Sequence, residues 1–129
     1  MPVDDKSNGD SLANLHDPER CRAASDVLAR VGDKWSVLIV MVLGQGTMRF
    51  SELKRHIGSI SQRMLTRTLR GLERDGLISR TAYPTRLARV DYTLTPLGRS
   101  LHEPALLLSS WSVDNYQAIQ ASRQIYDQQ

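Results

Sequence analysis

The 129-residue chain has one cysteine, three histidines and seven aromatic residues, and each shortage removes a class of function. A single cysteine excludes a disulfide within the chain. With His16, His56 and His102 scattered, it also leaves none of the usual zinc-ligand spacings, so neither metal nor cofactor is expected. So few aromatics make poor stacking platforms for single-stranded nucleic acid. The longest apolar run, Val37 to Leu43, is seven residues, where a membrane span needs about eighteen. The opening MPVDDKSNGD has no apolar signal-peptide core, which leads to the expectation of a cytoplasmic protein. There is no glycine-rich phosphate loop, nucleophile motif or metal-type cluster, so an enzyme is not expected.

At 40% hydrophobic and 24% charged, with five prolines, the composition suits one folded domain. Its charge is unevenly spread. Between Arg49 and Arg99 eleven Lys or Arg face four acids, so this segment carries +7 while the net charge of +3 leaves −4 for the rest. A basic middle between acidic ends is the electrostatic footprint of a surface that meets phosphates.

Residues 1–16 are polar and without period, and read as a mobile tail; residues 17–129 read as a single domain. Asp17-Pro18-Glu19 opens a first helix, whose apolar positions Cys21, Ala24, Val27, Leu28 and Val31 lead to a stop at Gly32. Asp33 caps a second helix, apolar nearly all round, that should be the buried centre. Thr47 to Phe50 is extended in character. Ser51 then offers a cap for a brief helix, Glu52 to Ile57, closed by Gly58.

The segment SQRMLTRTLRGLER, residues 61–74, comes next. At about 100° per residue Leu65, Leu69 and Leu72 fall within roughly 60° of one another, and Arg63, Arg67, Arg70 and Arg74 gather on the opposite side. A short helix, a glycine turn and a longer helix with a polar face form a helix-turn-helix pattern over residues 51–76. Two alternating segments, 77–83 and 90–94, follow as a hairpin whose loop carries Arg86 and Arg89. The fold class expected is therefore mainly α with a small β-hairpin (α+β), a winged helix-turn-helix.

Thr95-Pro96 restarts a helix, and Pro104 should kink or split it. The segment that follows shows Leu107, Leu108, Trp111, Tyr116 and Ile119, more apolar surface than one side of a small domain needs. The economical reading is a homodimer built from the first helix and the C-terminal helices, residues 95–126.

These residues also resemble a known family. GDKW at 32–35, RFSEL at 49–53, ISQRMLTRTL at 60–69, LERDGLI at 72–78, RVDY at 89–92 and LTPLGR at 94–99 together are similar to the HxlR-type winged-helix transcriptional regulators. The likeness spans Cys21 to Trp111. It implies a bacterial, dimeric, DNA-binding repressor or activator, some members of which respond through a cysteine near the first helix. One departure lies in the wing, where Arg86-Leu87-Ala88 stands in place of a second proline-rich turn.

Site residues follow from placing the segment in a major groove. Gln62 can pair bidentately with adenine and Arg63 or Arg67 with guanine, while Ser61 and Thr66 can reach phosphate or a thymine methyl. Arg70 and Arg74 belong with phosphates or plain solvation, and Arg86 and Arg89 with the minor groove or flanking phosphates. Arg89 has a rival role, pairing with a nearby carboxylate. Lys54 and Arg49 are weaker phosphate candidates, and Ser51 a cap. Cys21, between Arg20 and Arg22 near a helix start, is either a thiol activated for sensing an oxidant or a small apolar residue that packs. Trp35 and Trp111 are core or interface anchors, although an aromatic at a dimer groove can also close over a small-molecule effector. A winged helix used as a protein-interaction module, or a regulator of another winged-helix family without thiol sensing, remains the alternative.

Overall fold

The computed structural model describes residues 17–84 and 88–129; the proposed tail, 1–16, lies outside the described residues. In chain order they form α1 (Pro18–Val31), α2 (Lys34–Leu43), β1 (Met48–Arg49), α3 (Phe50–Ile57), α4 (Gln62–Arg74), β2 (Ile78–Ala82), β3 (Val90–Leu94), α5 (Pro96–Asp114) and α6 (Tyr116–Asp127). The fold is mainly helical with a small antiparallel sheet, a winged helix-turn-helix.

Local signals set most of the helix starts. Asp17 accepts from the Glu19 N–H, Asp33 from the Ser36 N–H at 3.2 Å, Ser61 from the Met64 N–H at 3.1 Å and Thr95 from the Gly98 N–H at 3.1 Å, each satisfying an orphan donor. Ser51 is the exception. Helix α3 starts two residues earlier than expected, at Phe50, because Arg49 is still extended from its pairing in β1 and the Glu52 carboxylate reaches back to accept from the Arg49 N–H at 3.1 Å. Ser51 thus sits inside the helix and caps nothing.

Helix α2 is the buried centre, with Ile39 and Val40 fully enclosed. Leu53 of α3, Ile60 of the turn and Leu65, Leu69 and Leu72 of α4 close on it, together with Ile78 and Leu94 of the sheet. Fully burying each such side chain contributes roughly 1.5–3 kcal/mol, so the leucine face of α4 is held firmly and its opposite face is aimed outward. The turn between α3 and α4 passes through Gly58 at φ +79°, a left-handed conformation that a side chain would strain.

The hairpin is present and slightly shorter than expected, and β1 adds a third strand, in the order β1-β3-β2. Arg49 stands opposite Asp91, Arg80 opposite Tyr92 and Ala82 opposite Val90. The Thr95 hydroxyl donates to the Gly76 carbonyl at 2.6 Å, fastening the start of α5 to the turn after α4.

Pro104 does not split the C-terminal segment: α5 runs unbroken from Pro96 to Asp114. Ala105 is buried and Leu101 packs on the core cluster, so tertiary packing spans the position that local preference would interrupt. The break falls instead at Asn115, whose side-chain amide donates to the Trp111 carbonyl at 2.8 Å and competes for a backbone acceptor. Helix α1 leaves its apolar stripe uncovered within the protomer. None of its residues is buried, and Val27 and Leu28 of its apolar stripe are exposed.

Candidate nucleic-acid interface

The outward face of α4 assembles the residues singled out in the sequence. Gln62, Arg63, Thr66, Arg67 and Arg70 together line one open depression of about 690 Å³. Ser61 stands at its head, where its oxygen is already engaged by the Met64 N–H and only its hydroxyl hydrogen is left to give. Thr68, between them in sequence, turns inward and donates to the Met64 carbonyl at 2.8 Å.

The arginines on this face are not self-neutralised. Among the described residues the ion pairs are Arg30 with Asp75 and Arg89 with Asp91. Asp75, the neighbour that sequence proximity offers to Arg74, is taken by Arg30 from α1, and no bridge joins Arg70 to Glu73. Arg63, Arg67, Arg70 and Arg74 therefore present four unpaired, exposed cations among the described residues. An arrangement of this kind can neutralise phosphates, and its guanidinium forks match the acceptor pair on guanine.

A second depression, of about 580 Å³, brings Arg49 and Ser51 beside Arg89 and Tyr92. Here Arg89 makes the carboxylate pairing. Its Nε donates to Asp91 Oδ1 at 3.1 Å and its Nη2 to Asp91 Oδ2 at 3.2 Å, and the guanidinium lies 5.5 Å from the centre of the Tyr83 ring. The hydrogen bond to Asp91, and then its charge, hold the guanidinium even more firmly protonated than usual. Asp91 is buried, so the partner it has is the one it needs. Arg86 lies outside the described residues. Lys54, half-buried on α3, and the exposed Arg49 lie outside the depression that α4 forms.

Arg80 escaped the sequence reading. It shares a depression of about 370 Å³ with Thr66, Arg70 and Tyr92, at the seam between α4 and the sheet. Strand alternation puts it in phase with the buried Ile78, which marks it as inward-facing; the core ends before reaching it, so the side chain emerges exposed beside α4.

Cys21 is exposed in the first turn of α1, so packing within the protomer is not its role. Trp35 is half-buried against the core with Lys34 Nζ 4.2 Å from its ring centre, whereas Trp111 is exposed. Among the described residues no helix is long and apolar enough to cross a membrane.

Comparison with known proteins agrees with this geometry. The model of the HxlR-like helix-turn-helix family matches residues 30–120. An HTH-type transcriptional regulator of Escherichia coli K12, YtfH, itself uncharacterized, is 42% identical over 105 residues, covering 81% of this chain and 82% of the relative. Among solved structures, the putative transcriptional regulator ytfH from Salmonella typhimurium superposes with a TM-score of 0.73 at 39% identity, over 78% of this chain and 90% of that one. The redox regulator HypR in its oxidized form superposes with a TM-score of 0.67 at 36% identity, over 72% and 96% respectively.

Proposed function

The chain belongs to the HxlR-like helix-turn-helix family, and we propose that it works as a dimeric, sequence-specific regulator of transcription on double-stranded DNA. The observation that carries this is the single depression in which Gln62, Arg63, Thr66, Arg67 and Arg70 converge with their cations unpaired, on a helix locked from behind by buried leucines. With α4 in the major groove, Gln62 reads adenine, Arg63 and Arg67 read guanine, and Thr66 meets a thymine methyl or phosphate. Ser61, Arg70 and Arg74 grip the backbone. Arg80 joins Arg70 there from the sheet, and Arg49 and Lys54 are further phosphate contacts outside that depression. Every charged side chain that lines the α4 depression is an arginine, which favours DNA over a protein-docking use of the same scaffold.

The dimer is supported by what the protomer leaves uncovered. Leu107, Leu108 and Trp111 on α5 and Tyr116, Ile125 and Tyr126 on α6 are all exposed, and α1 adds Val27 and Leu28. An apolar surface of this extent fits a self-complementary interface. The same helix α1 carries the exposed Cys21, and likeness to a redox regulator supports an oxidant as the effector. With one cysteine per chain, a two-electron oxidant can join two Cys21 thiols across subunits or convert each to a sulfenic acid.

The test is selection of bound fragments from the organism's own DNA, with and without oxidant. The expected result is a pseudo-palindromic consensus, with affinity falling about a thousandfold or more between roughly 50 and 200 mM salt. Recovery of no consensus contradicts sequence-specific binding.

A further inference from the structure

Helix α1 meets the end of α4 through one arginine. Arg30 in its last turn donates from Nε to Asp75 Oδ2 at 2.9 Å, and Asp75 is the residue on which α4 ends. One turn earlier the same guanidinium rests on Gly71. A Cβ built there would collide with Arg30, whose guanidinium supplies the three atoms nearest to it. Arg30 thus covers a full turn of α4, on a seat that a side chain would fill. Around this contact α1 stands off. None of its residues is buried, and an open cleft of about 710 Å³ lies between Val27 and Val31 on α1, Leu77, and Leu97 and Leu101 on α5.

We propose that Arg30 is a positioning residue, which sets the angle between α1 and α4 and, through the dimer, the separation of the two reading helices. The inference rests on the dimeric DNA-binding function proposed above. A two-fold dimer reads two half-sites about 34–36 Å apart, so the path from the interface helices to α4 must hold its geometry closely. Along the chain that path passes through α2 and α3. Across space it passes from α5 through Thr95, which holds the Gly76 carbonyl, and from α1 through Arg30. The pair is about one-third exposed, 34% for Arg30 and 33% for Asp75, so it adds little to global stability. Its geometry is nonetheless confined on two sides, by the Asp75 carboxylate and by the backbone at Gly71. Such a contact can be removed without unfolding the protein, and what is lost is alignment.

Two variants remove it by different routes. Gly71→Ala pushes the guanidinium aside without altering charge, in a helix where alanine is the better former. Arg30→Gln deletes the charge and leaves Gly71 untouched. Each is titrated against duplexes carrying one selected half-site, and against two half-sites whose spacing is changed a base pair at a time. Both variants are expected to bind the single half-site as the wild type does, while the preference for native over altered spacing falls about tenfold. An unchanged spacing preference in both overturns the proposal, as does an equal loss on the single half-site, which would make Arg30 a DNA contact or a support of the fold. A wild-type protein with no spacing preference overturns the dimeric DNA-binding reading itself, and shows this before any variant is made.

Discussion

Arg89 and Asp91, two residues apart where the chain enters the central strand β3, form a two-pronged ion pair in which the carboxylate is buried and the guanidinium half-exposed. Across the hairpin Arg89 also meets Tyr83, whose N–H donates to the Arg89 carbonyl at 2.9 Å. Arg89→Ala strands a buried carboxylate and is expected to destabilise the fold, read as a lowered melting midpoint. At temperatures well below melting, DNA affinity should change by less than about threefold, since a contact to the backbone from a side chain already committed to Asp91 contributes little. Unchanged melting with a large loss of affinity would return Arg89 to the DNA surface.

The two faces of α4 should separate stability from binding. Leu69→Ala empties a site that is 2% exposed and is expected to cost roughly 2–5 kcal/mol in denaturant unfolding. Arg67→Ala lies on the exposed face and should alter stability by no more than about 0.5 kcal/mol. Its cost appears in binding, about 1–3 kcal/mol, with discrimination blurred at one base pair. A uniform loss over all sequences would assign Arg67 to phosphate.

Charge placed on the uncovered apolar surface should break the dimer. Leu107→Glu combined with Trp111→Glu changes two exposed residues one helical turn apart, so the protomer's own packing stays intact. Sedimentation should show monomers where the wild type is dimeric, and circular dichroism should show retained helix. Dimers that persist would place the interface elsewhere.

For Cys21 the expected outcome is that a mild oxidant changes operator affinity and that Cys21→Ser abolishes the change. Since this is the chain's single cysteine, a response that survives the substitution must come from different chemistry, and the thiol-sensor account fails.

Much of this architecture was legible because its causes are local. The caps at Asp17, Asp33, Ser61 and Thr95 each depend on a side chain two or three residues from its donor. The segregation of Leu65, Leu69 and Leu72 from the four arginines is a property of helical period alone. What stayed hidden depends on distant partners. Nothing near Arg30 announces that Asp75, 45 residues on, will hold it. Strand β1 falls in the stretch read as extended, but at two residues it is too short to display alternation, and its pairing with β3 is not visible locally. Passage of α5 through Pro104 is decided by the core beneath Ala105, and the emergence of Arg80 beside Arg70 by where that core ends. For Arg89 both roles were visible, and the structure shows the pairing with Asp91.

The claim that the polar face of α4 reads base pairs is tested most directly by titrating the protein against every single-base variant of its selected site. The account predicts two symmetric clusters of sensitive positions, centred about 10 base pairs apart, in which each mismatch costs roughly 1–3 kcal/mol. Equal affinity for all the variants would contradict it.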